Sequence, residues 1–180
     1  MSRYTVPGLD EAAAAKIIDL LQGRLTATID LQLTLKHVHW NVVGPNFVAV
    51  HEMLDPWVSA AQQMSDELAE RVATLGGEPV GTPGHVAGQR TWNDYGLGRA
   101  AAGEHLAALD LVYQGLVVDH RKAIAELEEL DLVSQDMLIA QADKLEMQQW
   151  FVRAHLDDGS GRLPHAGATS IAEAAERMRD

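Results

Sequence analysis

The chain has 180 residues, and its 14 lysines and arginines against 26 aspartates and glutamates leave a net charge of −12. That length suits one domain, or a bundle with a tail. The charge makes the body repel polyanions, so any nucleic-acid contact would need a locally basic segment. With 47% apolar and 22% charged residues the chain reads as a folded globule, and the absence of cysteine excludes disulfide scaffolds, thiol nucleophiles and Cys-ligated metal sites.

In chain order, residues 1–9 read as an N-terminal arm. Its start, Met1-Ser2-Arg3-Tyr4-Thr5-Val6-Pro7, has no apolar run of signal-peptide length, and no window approaches a membrane span, so a soluble cytoplasmic protein with no membrane partner is expected. Four long segments rich in Ala, Leu, Glu, Gln and Met follow, predicting helices near 10–42, 47–75, 99–129 and 132–157. The third shows the pattern, with Leu106, Leu109, Leu116, Val117, Ile124 and Leu127 recurring at helical spacing between charges. Four such helices have the proportions of an antiparallel four-helix bundle over residues 10–158, with a long crossover at 76–98, and no strand pattern competes. Asp55-Pro56 could instead start a helix, as an N-cap followed by a first-turn proline. The apolar phase Val50, Leu54, Trp57, Val58, Ala61 runs through the proline, which favours a continuous second helix. From Gly159-Ser160-Gly161 onward, residues 159–180 read as a weakly patterned C-terminal tail.

The second helix carries the informative chemistry. At 100° per residue, with His51 at zero, Asp55, Asp66 and Glu70 fall at about 40°, 60° and 100°, while the apolar residues of the same helix centre near −80°. The four ligand-type side chains therefore share one stripe, away from the core. His51 and Asp66 are separated by about 22 Å along the axis, so one chain cannot gather them at one ion. An antiparallel copy of the helix could. His51 opposite Glu70 and Asp55 opposite Asp66 share one register, whose two-fold axis falls between residues 60 and 61, beside Ser59, Ala60 and Ala61. Mixed imidazole and carboxylate ligation suits Fe(II), Mn(II) or Zn(II), and spacing alone does not choose among them.

The stretch from Leu35 to Val42 (Leu-Lys-His-Val-His-Trp-Asn-Val), then Gly44 and Phe47, then His51-Glu52-Met53-Leu54-Asp55, then Asp66-Glu67-Leu68-Ala69-Glu70-Arg71 resembles the Dps mini-ferritins, as do Trp92-Asp94-Tyr95 and the run Trp150 to Leu156. The resemblance implies an all-α, ferritin-like four-helix subunit with a short helix in the crossover, twelve copies of which form a hollow shell. It implies Fe(II)/Fe(III) at ferroxidase centres shared by two-fold-related subunits, with His39, His51 and Asp55 from one and Asp66 and Glu70 from the other. It also implies hydrogen peroxide as oxidant, ferric mineral inside the shell, protection from oxidative damage, and Trp40 beside the site. His39 is supplied by the resemblance alone. The acidic run 126–136 falls where such shells have a three-fold pore, making Asp131 and Asp136 candidates for guiding Fe(II). Conventional ferritins are disfavoured because none of the eight histidines has a glutamate three residues before it. Family members that bind DNA do so through basic tails. Here Arg162, Arg177 and Arg179 face Glu173, Glu176 and Asp180, so weak or absent DNA binding is expected, with a nucleoid-protective protein and a structural-zinc oligomer as rival readings.

Overall fold

The computed structural model describes residues 5–179. Four long helices form the body: α1 (Glu11–Asn41), α2 (Phe47–Thr74), α4 (Ala102–Leu127) and α5 (Leu132–Leu156), with a short α3 (Pro83–Gln89) in the crossover and α6 (Ile171–Glu176) near the C-terminus. Asp10 starts α1 by accepting from the amides of Ala12 and Ala13, both at 2.9 Å, which satisfies donors no helical carbonyl can reach. Asp131 starts α5 in the same manner, accepting from the amides of Val133 and Ser134. Pro56 lies inside α2, so that helix is continuous and the rival start at Asp55 is not adopted.

The helices pair as two hairpins, α1 with α2 and α4 with α5, and bury two apolar clusters stacked along the bundle. One gathers Leu31, Leu35, Leu54, Met64, Leu109 and Leu145, and the other Ile17, Leu21, Leu68, Val72, Leu127 and Leu138. Between them each helix contributes a buried polar residue: Thr28, Ser65, His120 and Gln141. The Ser65 hydroxyl donates to Thr28 Oγ1 at 2.9 Å, and Gln141 Nε2 reaches the Met64 carbonyl and Glu67, while His120 Nδ1 is buried without a hydrogen-bond partner among the described residues.

Two details depart from the expected pattern. A two-residue parallel bridge, β1 (Val42–Val43) with β2 (Ala100–Ala101), ties the end of α1 to the start of α4. The segment after α5, expected to be a tail, docks on α4. His165 is buried and its Nε2 lies 2.9 Å from Asp110, Ala174 and Ala175 are buried, and Arg179 pairs with Glu104.

Candidate metal centre

The turn between α1 and α2 folds the end of one helix against the start of the next. This brings His39 beside His51, with the rings stacked at 3.6 Å between centroids. Each ring is held by the other residue's backbone: His39 Nδ1 lies 3.0 Å from the His51 carbonyl and His51 Nδ1 lies 2.9 Å from the His39 carbonyl. A carbonyl oxygen only accepts, so both Nδ1 atoms must carry the hydrogen. In the neutral rings both Nε2 atoms are then bare lone pairs, the form a metal ion requires. Phe47 packs 4.9 Å from the His51 ring and screens one side of it.

Asp55, one turn along α2, approaches the same pair, with Oδ1 3.4 Å from His39 Nδ1. Lys36 donates to that oxygen at 2.7 Å, and this hydrogen bond, with the histidines nearby, holds the Asp55 carboxyl below the usual aspartate range. Lys36 was not singled out from sequence; its place three residues before His39, hence on the same helix face, is the signal that could have found it. His39 is buried, His51 half-buried, and Trp40 points outward at 70% exposure.

Asp66 and Glu70 lie exposed farther along α2, on the face turned away from Leu54, Ala61, Leu68 and Val72. The chain does not bring them to the histidines, and among the described residues no group of three His, Asp or Glu side chains is placed to hold a metal ion. Of the three small residues nearest the expected two-fold axis, Ser59 and Ala60 are open to contact, whereas Ala61 belongs to the core at 1% exposure. Asp131 is not a free pore carboxylate. It caps α5 and accepts from Arg71 at 2.6 Å, and although burial works to raise its pKa, its bonds to Ser134 and Arg71 outweigh that and lower it. Asp136 remains exposed.

The ferritin-like domain model matches residues 18–161, four-fifths of the chain. The "DNA protection during starvation protein" of Mycolicibacterium smegmatis is 55% identical over 99% of this chain and 98% of its own length. The chain belongs to the Dps family. The solved structure of Mycobacterium smegmatis Dps superposes with a TM-score of 0.92 at 57% identity, covering 94% of this chain and 97% of that one. DpsA14 from Streptomyces coelicolor superposes with a TM-score of 0.88 at 53% identity, covering 89% and 96%. The fold is thus the ferritin-like bundle of Dps proteins, whose typical assembly is a hollow dodecameric shell. No helix among the described residues is long and apolar enough to cross a membrane.

Proposed function

We propose that this Dps-family protein oxidises Fe(II) with hydrogen peroxide at centres shared by two-fold-related subunits and stores the ferric product inside a homododecameric shell. His39, His51 and Asp55 of one subunit and Asp66 and Glu70 of its partner would hold the iron. The observation that carries this reading is the paired histidine geometry: two stacked imidazoles, each with Nδ1 committed to the other residue's backbone carbonyl, beside a carboxylate that a lysine keeps ionised. Such a half-site has nitrogen donors for Fe(II) but too few oxygens for Fe(III). Asp66 and Glu70 are the exposed carboxylates on the same stripe that an antiparallel copy would supply.

The chemistry balances without a further reductant. Two ferrous ions held together give one electron each to one hydrogen peroxide, whose O–O bond breaks. With two waters the products are two FeO(OH) units and four protons, and no hydroxyl radical is released. Protection in the cell would follow from removing both reactants of single-electron iron–peroxide chemistry. Iron is substrate and cargo here, which separates this reading from a structural zinc site.

A nucleoid-binding role is the weaker reading. Two of the three C-terminal arginines are engaged within the chain, Arg177 with Glu173 at 2.6 Å and Arg179 with Glu104 at 2.5 Å. This leaves Arg162 as the segment's arginine without an ion pair among the described residues, and so few cations to displace counterions from DNA. The test uses mixed shells. His51→Ala and Glu70→Gln shells are each expected to oxidise anaerobically supplied Fe(II), on adding peroxide, at least tenfold more slowly than the parent. When the two variants are co-assembled in equal amounts, half the dimers are mixed and one of their two sites is intact, so about a quarter of the parent activity returns. Absence of that recovery rejects the shared site, and a parental rate in both single variants rejects the ferroxidase assignment.

A further inference from the structure

α1 and α4 diverge on one side of the bundle, and the crossover after α3 and the start of α6 roof the gap. The result is a cleft of about 760 Å³, within the size range of small-molecule pockets and lined by none of the five proposed iron ligands. Its walls are largely apolar, with Leu31, Leu116 and Val118 on the long helices, Ile171 from α6, and Trp92 and Tyr95 on the crossover.

The charged groups around the cleft are unequally satisfied. Asp30 accepts from the Trp92 indole at 2.8 Å and faces Arg90 at 3.3 Å, and Asp94 accepts from Arg90 at 2.9 Å. Asp119 accepts from Lys122 at 3.1 Å. Arg24 is different. Its side chain is 12% exposed and its nearest carboxylate oxygen, on Asp119, is 3.8 Å away, beyond hydrogen-bond reach. Arg24 Nη1 is closed off and without a hydrogen-bond partner among the described residues. Burial lowers the arginine's pKa, and the nearby Asp119 works against that shift. Every carboxylate lining the cleft has a hydrogen-bond donor, whereas Arg24, the lining cation, makes no hydrogen bond among the described residues and meets Asp119 only as a loose ion pair at 3.8 Å.

We infer that this cleft binds an amphipathic monocarboxylate, its head on Arg24 and its apolar body against Leu31, Leu116 and Ile171 beneath Trp92. A single negative charge is the form the site tolerates, because Asp30, Asp94 and Asp119 ring it and would repel a dianion. A cationic ligand would find those three carboxylates already occupied.

The test is calorimetric titration of the assembled protein with decanoate, using decanol as the headless control. Saturable binding of one decanoate per subunit is expected, with decanol at least tenfold weaker. Arg24→Gln should weaken decanoate at least tenfold. Gly115→Phe provides a second variant, since Gly115 lines the cleft and a Cβ there meets nothing within 4 Å, leaving room for the side chain to start; an unchanged guanidinium midpoint checks that the bundle is intact. This variant should abolish binding with Arg24 intact, and both variants should oxidise iron at the parental rate. No saturable binding, equal binding of decanol and decanoate, or unchanged affinity in either variant overturns the inference.

Discussion

Two places in this subunit combine an aspartate, a histidine and a cation, and they are built in opposite ways. Asp110 on α4 is buried at 4% exposure. It accepts from Gln149 at 2.8 Å, Arg153 at 2.7 Å and His165 at 2.9 Å, drawing α4, α5 and the C-terminal segment to one point. Asp55 on α2 is 54% exposed at its side chain, with Lys36 at 2.7 Å and His39 at 3.4 Å. In the first, both carboxylate oxygens are bonded inside the chain, by three donors together, and the group is structural. In the second, oxygen and imidazole nitrogen atoms remain uncommitted at a surface, and the cation is a flexible lysine that can leave. The same residue types thus serve cohesion or chemistry according to whether burial has consumed their bonding capacity.

The largest effect expected from this contrast is on stability. Asp110→Ala leaves buried His165 Nε2 facing no acceptor and Gln149 with only the backbone carbonyl of residue 110 at 3.2 Å, while Arg153, 42% exposed, can turn to solvent. The cost should be about 2–4 kcal/mol per subunit, read as a lowered guanidinium midpoint, and the segment after Asp157 should become protease-sensitive. Iron oxidation per folded subunit should hold at the parental rate. An unchanged midpoint would erase the distinction between the two places. Next in size is a pH effect at the polar layer of the core. Burial, with Arg24 nearby, pushes His120 down to about 4. The unfolded chain takes up this proton near pH 6.5 and the folded one only near 4, so stability is full above 6.5 and falls as pH drops through that window. The loss should be on the order of 3 kcal/mol. Carboxylates with lowered folded pKa values lose their contribution only below their unfolded value near 4, but His105, also lowered by burial, acts in the same interval, so the His120 share is the difference between the parent and a His120 variant. In His120→Gln the midpoint should fall markedly less across it than in the parent, with the remainder from His105, and an undiminished parental slope would remove His120 as a source.

The body of the fold was legible because burial in a bundle writes itself as apolar spacing. The period through Val50, Leu54, Val58 and Ala61 located α2 and carried it across Pro56, and the angular offset of His51, Asp55, Asp66 and Glu70 marked a stripe outside the core. What spacing within one helix does not encode is the meeting of two. His39 entered through family resemblance, since its stacking on His51 depends on the turn at Gly44, whose φ of 99° suits glycine. Lys36 was missed for the same reason. The docked C-terminal segment was illegible because its chief bond joins His165 to Asp110 across 55 residues and α6 spans only six residues. A short, alanine-rich helix has too few apolar positions to display a period. The β1–β2 bridge, two residues a side, is shorter than any alternation could reveal. Asp131 misled because an acidic run looks the same whether its members face water or cap a helix.

The smallest expected effect on stability is the one that completes the comparison. Asp55→Ala makes the same chemical change as Asp110→Ala, but at a carboxylate that solvent already reaches. Among the described residues its side chain's direct partners are Lys36, which water can rehydrate, and His39, whose Nδ1 hydrogen also serves the His51 carbonyl. An exposed pair of this kind returns to water what it gave up on forming, so no resolvable change in guanidinium midpoint is expected. Peroxide-driven iron oxidation, by contrast, should fall at least tenfold, because an oxygen ligand for Fe(III) has gone while the imidazoles stay in place. A midpoint drop equal to that of Asp110→Ala would mean that Asp55 acts as a tie between α1 and α2, and a parental oxidation rate would remove it from the proposed ligand set.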